Sequence, residues 1–232
     1  GFGVQTGRCA SNAAPDLHGA LQPVLTKSMA AVLEPQKVGE LMRAIYGYSG
    51  QPITRAALLL SALLFQRPGN IRAMEWTWID LENAMLTIPA QDMKRMLHEK
   101  HNGRPHYVPL AKQALQTLEE IEPLTGHGRY VFPSIRTGDR PMSENTINTA
   151  LRRLGYTNDE MTAHGFRAMA RTVMAEQLHG ISPDVIEAQL AHGKSGPLGA
   201  AYDRAEFMDK RKDMMQRWAN YLGQLAADAQ IT

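Results

Sequence analysis

A single cysteine, Cys9, stands among 232 residues. That excludes an internal disulfide framework and any thiol-rich metal centre, and it makes the reducing cytosol the expected compartment. Long hydrophobic runs are also missing: the longest, Ala56 to Phe65 with Ser61 inside it, is about half of the ~20 residues that a membrane-spanning helix needs. No secretory signal pattern opens the chain. Charge of one sign is lacking too, since 25 Lys and Arg balance 23 Asp and Glu for a net +2. A polyanionic partner must therefore be argued from local clusters and not from bulk charge. Aromatics are few, at 6%, but 44% hydrophobic and 21% charged residues are the balance of an ordinary soluble globular protein with a sizeable core. There is no initiator methionine, and residues 1 to about 30 carry no sustained period. They read as a linker or the last piece of something upstream.

What is present is mostly helical periodicity. Val38, Leu41, Met42 and Ile45 recur at spacings of three and four, predicting a helix over Pro35 to Tyr48 closed by Gly47 and Gly50. Beyond Pro52, a segment apolar nearly all round predicts a buried core helix that stops at Gln66-Arg67-Pro68, because Pro68 disfavours the helical region for Arg67. A short helix from Pro68 through Glu75 follows. The pattern then switches to period two, with candidate strands at Trp78-Ile79-Asp80, Met85 to Ile88 and His106 to Leu110 forming a small three-stranded sheet. Helices are expected again over Ala111 to Ile121, Ser143 to Leu154 with Ser143 as N-cap, Ala163 to His179, Pro183 to Ala191 with Ser182 as N-cap, and about Glu206 to Leu222.

Several side chains on this framework carry chemistry. His164 and Arg167, at i and i+3 in the first turn of a helix, converge with backbone N–H groups at the positive end of the macrodipole, a ready phosphate site. His192 ends the next helix, and Tyr202 follows ten residues later. Taken one at a time, each also fits a plain structural role. The polar loop from Asp92 to His106 holds Lys94, Arg95, Lys100 and Arg104 against Asp92 and Glu99. It is either a DNA-contacting segment or a solvated hairpin. Lys210-Arg211-Lys212 lies between Asp209 and Asp213 and reads as a salt-bridged helix face. Gly193-Lys194-Ser195 lacks the earlier glycine of a phosphate-binding loop, and His98, His101 and His106 lie in an irregular loop with no thiolate, so neither is taken as a nucleotide or metal site.

The ordered set Gln66-Arg67-Pro68-Gly69, Ile88-Pro89-Ala90 through Met93-Lys94, His106 to Leu110, Val131-Phe132-Pro133-Ser134, His164-Gly165-Phe166-Arg167, Leu190-Ala191-His192-Gly193 and Ala201-Tyr202-Asp203-Arg204 resembles the catalytic domain of a tyrosine recombinase of the phage and prophage integrase branch. The resemblance covers about residues 30 to 222. It implies a mainly α fold with a small three-stranded antiparallel sheet, of the DNA breaking-rejoining type. Residues 1–30 would be the end of a missing N-terminal DNA-binding domain, 31–222 the catalytic domain and 223–232 a tail. The implied activity is site-specific cleavage and rejoining of DNA through a 3′-phosphotyrosyl intermediate, to integrate or excise a prophage or genomic island.

Carried over residue by residue, the resemblance makes Tyr202 the nucleophile, His164 the proton acceptor, Arg67, Arg167 and His192 the groups on the phosphate oxygens, and Lys94 the general acid. Arg95, Lys100 and Arg104 are DNA-contacting candidates. No cofactor or metal is required, because the covalent intermediate conserves the bond energy. The implied partners are double-stranded attachment sites and copies of the same chain in a tetramer on DNA, with an excisionase and a DNA-bending host factor as further partners, and the implied location is the cytoplasmic nucleoid. In that tetramer, Met214, Met215, Trp218, Tyr221 and Leu222 would pack on a neighbour, with docking on their own chain as the alternative. Asn70 departs from the family's carboxylate three residues after the first arginine, which predicts altered support of Arg67. A type IB topoisomerase-like activity and a catalytically silent DNA-binding fragment are the rival readings.

Overall fold

The computed structural model describes residues 2–8, 10, 29–93, 103–191 and 207–228. A short helix, α1 (Phe2–Gln5), is followed in the chain by α2 (Pro35–Tyr46), α3 (Pro52–Leu64), α4 (Pro68–Arg72), β1 (Ile79–Asp80), β2 (Met85–Ile88), β3 (His106–Pro109), α5 (Lys112–Thr125), α6 (Thr146–Arg153) and α7 (Gly165–Gln177). Two more, α8 (Pro183–Gln189) and α9 (Met208–Ala227), complete it. The architecture is mainly helical with a three-stranded antiparallel sheet in the order β1-β2-β3. Leu86 sits opposite Ile79 and Val108, and Ile88 opposite His106. Pro109 has no N–H to donate and is accommodated because β3 is an edge strand.

The core is organised around α3. Leu58, Leu60, Ala62 and Leu64 are fully buried, and the helix touches α2, α4, α5, α6, α7 and α9. An all-apolar helix is stable in water only when it is covered on every side, which is what these neighbours do. Two glycines are required by close approach. A Cβ on Gly39 of α2 would fall 2.3 Å from the Leu225 carbonyl oxygen of α9, and one on Gly165 would fall 2.3 Å from the Ala30 carbonyl oxygen.

The C-terminal helix α9 is docked on its own chain. Met214, Met215, Trp218 and Leu222 are all at 0% exposure. The Trp218 indole N–H donates to Ala62 O at 3.0 Å, and its ring meets Phe65 edge-on at 6.4 Å. Arg43 of α2 donates to Leu225 O at 3.2 Å and Ala226 O at 3.4 Å, capping the negative end of the helix. Of the two placements the sequence left open for this face, docking on its own chain is the one observed, and α9 runs past Leu222 to Ala227.

Other boundaries shift for identifiable reasons. α4 ends at Arg72, before Glu75, because the chain turns to form the isolated bridge Glu75–Tyr130. Trp78 lies in a 3₁₀ turn and not in β1. α6 starts at Thr146, and the Ser143 hydroxyl accepts from the Asn145 N–H without capping the helix. Ser182 makes no side-chain cap either, since Pro183 already occupies the first turn of α8 and needs no acceptor. The Lys210-Arg211-Lys212 reading fails for Arg211, which is 5% exposed and turned inward. It shares the i, i+3, i+4, i+7 stripe of Met214, Met215 and Trp218, so its position in that register was the signal for burial.

Candidate active site

Arg67 is placed by the end of α3. Phe65, the residue after that helix, adopts the left-handed region at φ 42°. Its carbonyl is thereby turned out of the helix, and Gln66 and Arg67 lead away to Pro68 in extended geometry, with Arg67 at φ −57° and ψ 140°. Arg67 is partly exposed. Gln66 is buried, and its amide nitrogen donates to Leu64 O at 3.0 Å and Gln189 O at 3.1 Å, so the junction is tied across to the end of α8.

Arg167, in the first turn of α7, is 5% exposed. Its Nη1 donates to Phe65 O at 3.0 Å and its Nη2 to Leu190 O at 2.8 Å. Two of the five guanidinium N–H groups thus fix the plane of the side chain against two loop carbonyls. Burial, and behind it the positive charge of Arg67, pulls the Arg167 guanidinium down to about 10, with Glu187 opposing. The two arginines, exactly 100 residues apart in sequence, are near enough to repel. Like charges held together raise the local potential and favour an anion that neutralises both.

His164 sits at the N-cap of α7, outside the helix, and is exposed. His164 and Arg167 do share the helix start, but they do not present equal faces: the arginine turns into the protein and the histidine toward solvent. The Gly165 N–H is already satisfied by Thr162, through the hydroxyl at 3.1 Å and the carbonyl at 2.9 Å. The open-amide phosphate cradle expected from the sequence is therefore smaller than a bare helix end would provide.

Arg104 is exposed just ahead of β3. Lys94, Arg95, Lys100, His192 and Tyr202 lie outside the described residues, as do His98, His101 and Cys9. Their flanks are described. Asn70 is buried and donates from Nδ2 to Asp92 O at 2.8 Å, two residues before Lys94. A carboxylate there would face that carbonyl without a proton to give, so the departure at position 70 supports the root of the Lys94 segment. His106 is not a loop ligand: it is buried, with Nε2 3.0 Å from Gln189 O. Ala191, immediately before His192, is like Phe65 and Ala84 a non-glycine residue in the left-handed region, at φ 51°.

Residues 31–207 match the model of the phage integrase family. The chain belongs to that family. It is 35% identical over 229 residues to an integrase of Enterobacteria phage P4, covering 95% of this chain and 52% of that protein. It is 36% identical over 230 residues to a putative protein IntB of Escherichia coli K12, covering 95% and 57%. The chain spans about half the length of these curated relatives. Among solved structures, a lambda integrase dimer bound to a COC′ core site superposes with a TM-score of 0.57 at 20% identity, over 89% of this chain and 56% of that one. The lambda integrase catalytic core superposes with a TM-score of 0.50 at 20% identity, over 74% and 95%. The fold is therefore that of the tyrosine recombinase catalytic core, and the phage integrase family is where Arg67, His164 and Arg167 are to be understood.

Proposed function

We propose that this chain carries the DNA cleavage and rejoining activity of a site-specific integrase of a prophage or related mobile element. The observation that carries the proposal is the buried junction where Arg167, held by Phe65 O and Leu190 O, feels the charge of Arg67. A phosphodiester exchange passes through a phosphorane with extra negative charge, and two guanidinium forks are suited to its non-bridging oxygens.

In the proposed reaction the Tyr202 hydroxyl oxygen attacks the scissile phosphorus and gives its proton to His164. The bond from phosphorus to the 5′-oxygen breaks as the 3′-phosphotyrosyl bond forms. Lys94 protonates the departing 5′-oxygen, and His192 joins the arginines on the phosphorane. The reverse attack by a 5′-hydroxyl from another strand rejoins the DNA. Because the phosphotyrosyl ester keeps the energy of the broken linkage, no nucleotide or metal enters the balance. Arg95, Lys100 and Arg104 would contact the duplex backbone. Double-stranded attachment sites, other copies of the chain on DNA, and auxiliary excision or bending proteins are the proposed partners. The bacterial nucleoid is the proposed location.

The test is a nicked suicide duplex carrying the element's junction sequence, incubated with the chain and with Tyr202→Phe. The wild type should accumulate a covalent protein–DNA adduct and Tyr202→Phe none, with DNA affinity little changed. An adduct that persists in Tyr202→Phe would remove the assignment of the nucleophile.

A further inference from the structure

Four segments that are distant in sequence send hydrogen bonds to one dipeptide, Gln189-Leu190. Gln189 O accepts from Gln66 Nε2 at 3.1 Å and from His106 Nε2 at 3.0 Å. A carbonyl only accepts, so the His106 ring carries its proton on Nε2 in that contact. Leu190 O accepts from Arg167 Nη2 at 2.8 Å. The Gln189 side-chain oxygen accepts from Arg211 Nε at 2.9 Å and Nη2 at 2.7 Å, and Arg211 Nη2 also donates to Tyr107 O.

Each donor lies on a segment that carries or leads to a residue of the proposed reaction. Gln66 precedes Arg67, His106 opens the strand that follows the Lys94 to Lys100 segment, and Arg167 is itself one of the pair. The remaining tie is the informative one, because Gln189 comes three residues before His192 and Arg211 nine residues after Tyr202. Arg211 thus holds together the two described ends that flank the stretch bearing both.

Resting on the integrase reading above, we propose that Arg211 and Gln189 are positioning residues for strand cleavage, setting the helix that follows the nucleophile against the turn that holds Arg167. The energetics favour orientation over stability as the reason for this pair. Gln189 is at 0% exposure and Arg211 at 5%. An apolar residue would fit the Met214, Met215, Trp218 stripe at less desolvation cost than a buried guanidinium. The amide end Nε2 of Gln189 is buried with no hydrogen-bond partner among the described residues, a cost that a pair selected only for stability would avoid. What the pair does supply is direction: the planar Arg211 fork admits one orientation of the Gln189 amide, and a lysine at 211 could not reproduce it.

The test uses the 232-residue chain and compares Arg211→Met, Arg211→Lys, Gln189→Leu and Gln189→Glu in single-turnover adduct formation on the nicked junction duplex. DNA affinity is read by fluorescence anisotropy and stability by thermal melting. Arg211→Met leaves the Gln189 side-chain oxygen and the Tyr107 carbonyl without their donor and should melt below the wild type, yet it should bind DNA within about twofold and form the adduct about 10²-fold more slowly, the loss expected for a small misplacement of reacting groups. Gln189→Glu keeps the acceptor for both Arg211 bonds and should retain more cleavage than Gln189→Leu, while Arg211→Lys should resemble Arg211→Met. Should Arg211→Met fail to fold, the pair Arg211→Met/Gln189→Met removes both polar partners together, should melt closer to the wild type, and carries the same expectation for DNA binding and cleavage. Adduct formation at the wild-type rate in a folded Arg211→Met would overturn the positioning role, as would parallel loss of stability, binding and cleavage. A wild-type chain that forms no adduct would instead overturn the integrase reading, and with it any role in that reaction.

Discussion

Two buried arginines donate to Gln189-Leu190, and they are held differently. Arg167 gives its donors to main-chain carbonyls, Phe65 O and Leu190 O, and faces the charge of Arg67. Arg211 gives its donors to a side-chain amide oxygen and to Tyr107 O, in the middle of an apolar stripe. The first arrangement sets one guanidinium against the positive charge of another, with Glu187 opposing. The second is a tie between two elements of the same subunit. Burial of a guanidinium is therefore not one signal but two, and what lies opposite the charge separates a receptor from a fastening.

The largest expected effect tests the fastening side. If α9 is an integral part of its own subunit, Trp218→Ala should cost about 3 to 5 kcal/mol of stability, as for other large aromatic truncations in a packed core. Chemical denaturation would measure it. A loss near zero would mean that the helix docks elsewhere and would break the comparison.

The receptor side predicts a split between the members of the arginine pair. Arg67→Ala and Arg167→Ala should each lower single-turnover cleavage by an amount equivalent to about 2.7 to 4 kcal/mol of transition-state stabilisation. Only Arg167→Ala should also lower the melting temperature clearly, because it leaves the Phe65 and Leu190 carbonyls without their donor. Equal thermal effects from the two variants would show that Arg67 is as structural as Arg167.

A smaller effect sharpens the description of the receptor's edge. Asn70→Asp replaces the donor to Asp92 O by an acceptor and should cost about 1 to 3 kcal/mol, the price of an unmatched buried polar group. Raised hydrogen exchange at the Asp92 and Met93 amides would locate the damage. An unchanged melting curve would mean that position 70 does not support the Lys94 segment.

The smallest effect concerns the backbone. Ala191→Gly relieves the Cβ of a residue at φ 51°, so stability should rise by up to about 1 kcal/mol. A fall would indicate that the left-handed turn before His192 depends on the alanine methyl.

Much of the framework was legible before the structure. The β2 bounds, Met85–Ile88, follow from period-two alternation, and the all-apolar run beyond Pro52 announced α3 as the central helix. The ordered set Arg67, Lys94, His164, Arg167, His192 and Tyr202, with the motifs around them, pointed to the phage integrase family, because relatives that share a fold keep such residues in one chain order. Less legible were the caps. The starts at Pro35 and Pro183 fall where the sequence put them, but Ser143 and Ser182 have the composition of N-caps and make no cap bond.

The sequence by itself determined the helix and strand periods, the family, and which residue types carry charge. Only the tertiary structure decided the direction each charge faces. His164 and Arg167 are three residues apart and end in different environments, because the Phe65 and Leu190 carbonyls draw the Arg167 guanidinium inward while His164 stays exposed at the helix cap. Arg211 looked like one of three solvated cations, and becomes a buried donor because the α9 stripe it shares with Met214 and Trp218 is laid against the core. Periodicity is a local property of the chain and can be read along it. The partner of a buried donor is supplied by a segment tens to a hundred residues away, and comes into view only when the chain has folded.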